Sequence, residues 1–330
     1  MARNLILAEL ICLVARHVLS LYSQSRRAYA PSAGMLYAIE KQKIDYMKEF
    51  KTWKLWLHFT GYLGCFVLGG LIVIVPDIVS GFKNETGYSI FTRELFRIPI
   101  TLGLLYLYTK FILKNLLTFE TLRFKNTNIL KWGLIGILLP SLVIFIFYIS
   151  GNFKIIDTNF NINKEIIYAA LLKSLGMSIA AGIIEEVVFR GYMVNLLQKK
   201  YTFWVAAIVP SLLFTLLHIG GADSFINVLQ LLIAGMLVSI MFLFIYKSTG
   251  SIWNASIVHF LWNFVILNEL ISYGKTKYGI DKLVEFDIGQ NELFNGGGFG
   301  IETSIPAIIV YGLTIVITWK MIKKTAYNKA

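Results

Sequence analysis

The sequence predicts an all-α membrane protein: a polytopic bundle of about eight transmembrane helices, with its chemistry placed between helices inside the membrane. Three observations carry this. Of the 330 residues, 56% are hydrophobic and only 15% are charged, with a mean hydropathy of +0.66. Soluble domains run at about 45–50% apolar and about 25% charged. Eight stretches are apolar over helical length, and about 20 such residues cross a hydrocarbon core of about 30 Å. Finally, Lys and Arg outnumber Asp and Glu by 31 to 19, for a net charge of +12, and they cluster beside the apolar stretches. That is the cytoplasmic retention pattern of membrane proteins, not a nucleic-acid footprint. A soluble enzyme, a disordered chain and a collagen-like chain are excluded, and no nucleic-acid partner is expected.

From the N-terminus, residues 1–22 hold an apolar run broken by Arg16 and His17, with no small-residue cleavage site after it. A cleaved signal peptide is therefore not expected; an interfacial helix and a short first span both fit. Eight spans follow: Leu55–Val75, Leu95–Leu113, Ile129–Ile149, Ile166–Ile184, Phe203–Ile219, Phe225–Tyr246, Ile252–Ile271 and Ser304–Met321. Trp56, Trp132, Trp204 and Trp253 lie near span starts, where an interfacial aromatic belt would place them. No internal repeat is visible.

Orientation follows from the basic residues. Arg123, Lys125 and Lys131 precede the third span, and Lys199 and Lys200 the fifth. Lys247 lies between the sixth and seventh, and Lys320, Lys323, Lys324 and Lys329 close the chain. Residues 272–302 carry three Lys against Asp281, Glu285, Asp287, Glu292 and Glu302. Residues 23–54 and the C-terminus are thus expected in the cytoplasm. The wealth of Ile, Lys and Asn suits an AT-rich bacterial genome, hence a bacterial plasma membrane. Cys12 and Cys65 form no CxxC pair and argue no disulfide framework. Gly296-Gly297-Gly298-Phe299-Gly300 lacks the Lys-Ser/Thr and the preceding strand of a phosphate loop and reads as a flexible outer loop. Asn84-Glu85-Thr86 fits a glycosylation sequon of little specificity.

An ionisable residue inside a span costs about 2.5–3.5 kcal/mol on insertion scales, so such residues mark function. They concentrate in one part of the chain: Glu185, Glu186 and Arg190; then His218, four residues after Phe214; then His259 and Asn263. Glu186 and Arg190 have the spacing and order of a helical ion pair, which would brace the helix. Glu185 points about 100° away, free for chemistry. His259 and Asn263 share one helix face. If the fourth helix turns near Tyr201, Glu185 and His218 both lie about 25 Å from that turn, at about 1.5 Å per residue. A turn near Thr249 puts His259 about 15 Å and Asn263 about 21 Å along the next helix. The groups can therefore converge, provided the fourth helix runs well past its apolar stretch.

Peptide hydrolysis needs an activated water, a base and oxyanion donors. Glu185 suits the base, His218 a second ligand of the water, and His259 with Asn263 the oxyanion hole. The same two histidines and glutamate would form an acceptable zinc ligand set, although no HExxH is present. No GxSxG supports a serine triad.

The three patterns, Glu185-Glu186-x-x-x-Arg190, Phe214-x-x-x-His218 and His259-x-x-x-Asn263, resemble the ordered motifs of the CAAX protease and bacteriocin-processing (CPBP, or Abi) family. The resemblance implies an intramembrane endopeptidase. Glu185 would be its base, His218 would share the water, His259 and Asn263 would form the oxyanion hole, and Glu186 and Arg190 would support them. A glutamate-dependent, metal-free reaction is favoured, with zinc as the rival cofactor. On this reading residues 1–54 are a cytoplasmic N-terminal region and 55–165 are helices outside the motifs. Residues 166–271 form the catalytic core, and 272–330 an outer loop, last span and tail. The implied partner is a membrane-associated peptide or protein substrate in the lipid bilayer. The alternative is a non-catalytic immunity protein or a partner of a membrane histidine kinase.

Overall fold

The computed structural model describes residues 51–81, 86–113, 119–124, 126–221, 224–274 and 282–327. The readings of residues 1–22, of the basic stretch before residue 51, of the Asn84-Glu85 sequon and of Lys329 lie wholly or partly outside them. Among the described residues, eight apolar helices carry the fold: α1 Thr52–Val79, α2 Gly87–Ile112, α3 Ile129–Ile149, α4 Lys164–Leu197, α5 Phe203–Leu216, α6 Phe225–Thr249, α7 Ile252–Ile266 and α8 Ile305–Tyr327. The chain is an α-helical membrane bundle, as predicted. Six of the eight are long enough to cross a bilayer alone; α5 and α7 are shorter. The seventh predicted span was drawn to Ile271, but α7 ends at Ile266 and Ile271 opens a strand.

Local chemistry sets the boundaries. Thr86 and Ser89 form a reciprocal capping box at α2. Asn128, Asn163, Thr202 and Ser224 each accept a backbone N–H at the start of α3, α4, α5 and α6. Gly250, with φ +72°, ends α6 in the left-handed conformation that glycine adopts at little cost and reverses the chain into α7.

Hydrogen bonds between connections identify the two ends of the bundle. At one end, Trp253 donates to the Leu122 carbonyl, Asn126 to the Thr249 carbonyl, and the Asn128 backbone N–H to Asn254. This end carries Arg123, Lys199, Lys200 and the starts of α1, α3, α5 and α7, so the four belt tryptophans all gather here. Trp132 differs from expectation in facing inward, at 4% exposed. At the opposite end a three-stranded sheet forms from β1 Lys154–Thr158, β2 Ile271–Tyr273 and β3 Val284–Asp287. Its order is β1-β3-β2, with β1 antiparallel and β2 parallel to β3. A short turn of helix, Glu292–Asn295, and a 3₁₀ helix, Gly297–Thr303, complete this cap. The glycine-rich stretch, expected as a loose loop with no strand before it, thus follows β3 and is itself structured. The cause is local: Gly296, Gly297 and Gly300 adopt positive φ, and a Cβ on Gly296 would sit 1.8 Å from the Gly300 carbonyl oxygen.

The helices that position the site pack through small residues. α4 contacts α2 and α7. A Cβ on Gly176 would fall 2.8 Å from the Phe91 backbone, and one on Gly182 would fall 2.8 Å from the Phe260 nitrogen and the Ser256 oxygen. Backbones meet at these points, as membrane helices do where no side chain intervenes. α4 runs unbroken past both glycines to Leu197, the extension that the depth argument required.

Candidate active site

Inside α4 the helix widens: Glu186–Met193 is a π-helical segment, and all eight of its residues are buried. Such segments are rare and gather at functional sites. Glu185 is the last α-helical residue before it, so the two glutamates straddle the change of geometry. The Arg190 guanidinium donates to Glu186 Oε1 at 2.8 Å, the ion pair that the spacing predicted. Glu186 is fully buried and Arg190 is 1% exposed. Arg190 is braced further by the Phe214 ring, 4.6 Å from its guanidinium carbon, and by the Phe242 ring at 5.6 Å. Phe214 therefore has a physical role in the second motif: it faces the cation of the first.

The structure adds a contact that the sequence did not reveal. His259 Nδ1 lies 2.9 Å from the same Glu186 oxygen, and its Nε2 lies 3.8 Å from Glu185 Oε2. The ring stacks on Phe242 at 4.4 Å and 12°. Glu186 is thus more than a brace for the helix, because it also fixes the orientation of His259. With Nδ1–H donated to Glu186, the neutral ring presents a lone pair at Nε2, and only the doubly protonated ring donates there. His218 sits just beyond the end of α5, with Nδ1 2.8 Å from the Phe214 carbonyl oxygen. A carbonyl only accepts, so Nδ1 carries the proton and Nε2 is left to accept from a water or substrate.

Glu185, His218, His259 and Asn263 all line one cavity of about 330 Å³. The four side chains singled out in the sequence therefore converge on one space. Apolar walls come from Met177, Leu231, Val238 and Leu267. Lys173 and Glu269 also line it, paired at 2.5 Å. Serving the same space is a residue that the sequence reading left among the acidic outer residues: Glu302, from the 3₁₀ segment of the cap. Its Oε1 accepts from Trp262 Nε1 at 3.2 Å, and its backbone carbonyl accepts from the Tyr311 hydroxyl at 3.0 Å. No periodicity or motif marks Glu302; only the return of the chain through the cap brings it here.

Among the described residues, no three His, Cys, Asp or Glu side chains are grouped to hold a metal ion. Were a zinc ion bound, Glu185 and the Nε2 atoms of His218 and His259 would hold it, with Glu186 on Nδ1 of His259 as the outer partner, and it would polarise a water or carbonyl.

Residues 167–265 match the family model for Rce1-like proteins, described as type II CAAX prenyl endopeptidase. This stretch is similar to the CAAX-protease-like family. It spans α4 to α7 and contains every residue of the three motifs, so the resemblance read from them is borne out. No curated protein and no solved structure matches the chain. The CAAX-protease-like core, the apolar helices and the shared cavity together support an intramembrane protease of the CAAX type.

Proposed function

We propose that this protein hydrolyses a peptide bond of a membrane-associated protein or peptide, with Glu185 as the base and no metal taking part. The observation that carries the reading is the shared cavity, which gathers a carboxylate, two histidines and an amide between apolar walls. A water held between Glu185 and the Nε2 of His218 gives its proton to Glu185, and its oxygen bonds to the scissile carbonyl carbon. The resulting oxyanion accepts from the Asn263 amide and from Nε2–H of doubly protonated His259, which Glu186 holds through Nδ1. Glu185 then passes the proton to the amide nitrogen, the C–N bond breaks, and a carboxylic acid and an amine leave, the acid's proton then moving to the amine. Arg190 offsets the buried charge of Glu186, which must remain an acceptor for His259 to stay in place.

The core sits in a bundle whose basic end carries the chain entering α1 and the end of α8. By the positive-inside rule that end is cytoplasmic, which puts the cap on the outer face of a bacterial plasma membrane. The substrate cleaved there is a bacteriocin-like or surface peptide, and an immunity or histidine-kinase partner role is the alternative outcome. The test compares wild type with Glu185→Gln at matched membrane levels, reading secreted and membrane peptides by mass spectrometry. Loss of a general base should lower turnover by about 10²–10⁴-fold, so wild-type termini should vanish in the variant. Identical peptide profiles, with both proteins rescuing a deletion phenotype, would overturn proteolysis in favour of the binding role.

A further inference from the structure

Beyond the catalytic cavity lies a second, larger one of about 1030 Å³, walled by the cap. β2, Gly274, Asp287–Gln290 and the glycine-rich 3₁₀ segment line it, with Ser224 and Asn227 from the start of α6. The two cavities share three wall residues: Leu267, Phe299 and Glu302. Glu302 thus stands where a vestibule meets the catalytic space, within electrostatic range of Glu185, His218 and His259.

The charges around it do not balance. In the catalytic cavity Lys173 is taken by Glu269, and behind its wall Glu186 is taken by Arg190. In the vestibule Lys282 donates to the Glu269 backbone carbonyl. Among the described residues, no Lys or Arg pairs with Glu302 or with Glu185. The described charged residues of the vestibule wall are Lys282 against Asp287, Glu292 and Glu302. Trp262 Nε1–H occupies one oxygen of Glu302 and fixes the carboxyl group in the passage, leaving its second oxygen for another partner. Asn227 lines the same vestibule at 4% exposed, and its Oδ1 has no hydrogen-bond partner. The passage therefore offers Asn227 Oδ1 and the second oxygen of Glu302 as acceptors that no described lysine or arginine serves, in surroundings where charges interact strongly. A ligand that brings positive charge and several N–H donors satisfies both needs; Lys and Arg side chains do so.

We propose that Glu302 is a specificity residue, receiving a Lys or Arg side chain of the substrate at a fixed distance from the bond that Glu185 attacks. The polypeptide enters through the cap vestibule, its basic side chain passes Phe299, and the ammonium or guanidinium docks on Glu302. This rests on the hydrolytic reading above and adds the class of substrate.

The test uses the full-length protein in liposomes with a proteome-derived peptide library, reading new termini by mass spectrometry. Wild type should enrich Lys and Arg at one fixed position from the cut. Glu302→Gln should lower that enrichment about tenfold, in keeping with a charge-assisted hydrogen bond. Glu302→Asp should keep the basic preference, and Glu302→Lys should shift it to Asp and Glu. Thermal unfolding of each variant checks folding, and the wild-type profile decides even where a variant does not fold. Cleavage by wild type without a basic preference overturns the proposal, as does a preference that survives in folded Glu302→Gln. Termini identical between wild type and Glu185→Gln remove the hydrolytic reading itself, and this proposal with it.

Discussion

The cavity that gathers Glu185, His218, His259 and Asn263 has two walls of different character. The wall from α4, α5 and α7 carries motif residues held from behind by others: His259 by Glu186, Glu186 by Arg190, and Arg190 by the ring of Phe214. The wall from the cap is a 3₁₀ turn whose backbone is held by Tyr311 and whose carboxyl group, from Glu302, is held by Trp262. In the first, side chains must meet at fixed angles to move a proton, so helices carry them and the spacing shows in sequence. In the second, one group must stand at an entrance, and a loop of any sequence that ends there can provide it. The first wall fits the constancy of a reaction, the second the variability of a substrate.

The largest effect expected on the motif wall is structural. Arg190→Ala leaves the Glu186 carboxylate buried without its cation and should destabilise the protein by about 3–5 kcal/mol, read as a loss of thermal stability in detergent micelles. A stable Arg190→Ala protein would mean that His259 alone can hold Glu186, and the wall would be less tightly coupled than the contacts imply. Next in size, Asn263→Ala should lower kcat by about 100-fold with little change in thermal stability, as removal of an oxyanion donor does. An equal loss of stability would reassign Asn263 to helix packing. The smallest effect belongs to neither wall. Leu71 on α1 is 50% exposed on the lipid-facing side, and Leu71→Ala should change stability by no more than about 0.5 kcal/mol.

Helix existence was legible because hydropathy is a local property: each of the eight apolar runs became a helix. Their limits were less so. Nothing in the run Ile252–Ile271 shows that Asn268 turns its side chain back to the backbone N–H groups of Leu270 and Ile271 and starts a strand. The ion pair of Glu186 with Arg190 was readable from a spacing of four because both belong to one helix. The bond from Glu186 to His259 was not, because it joins residues 73 apart on different helices.

The sequence by itself therefore determined the class of the protein, its helices and the chemical groups available for catalysis, since these depend on composition and short-range spacing. Tertiary structure alone decided that Glu186 serves both Arg190 and His259, and that a strand, a turn and three left-handed glycines carry Glu302 back to the cavity. The physical reason is that hydrogen bonds and cavity walls are made by groups brought together in space, and a long connection leaves no period in the sequence to record where it returns.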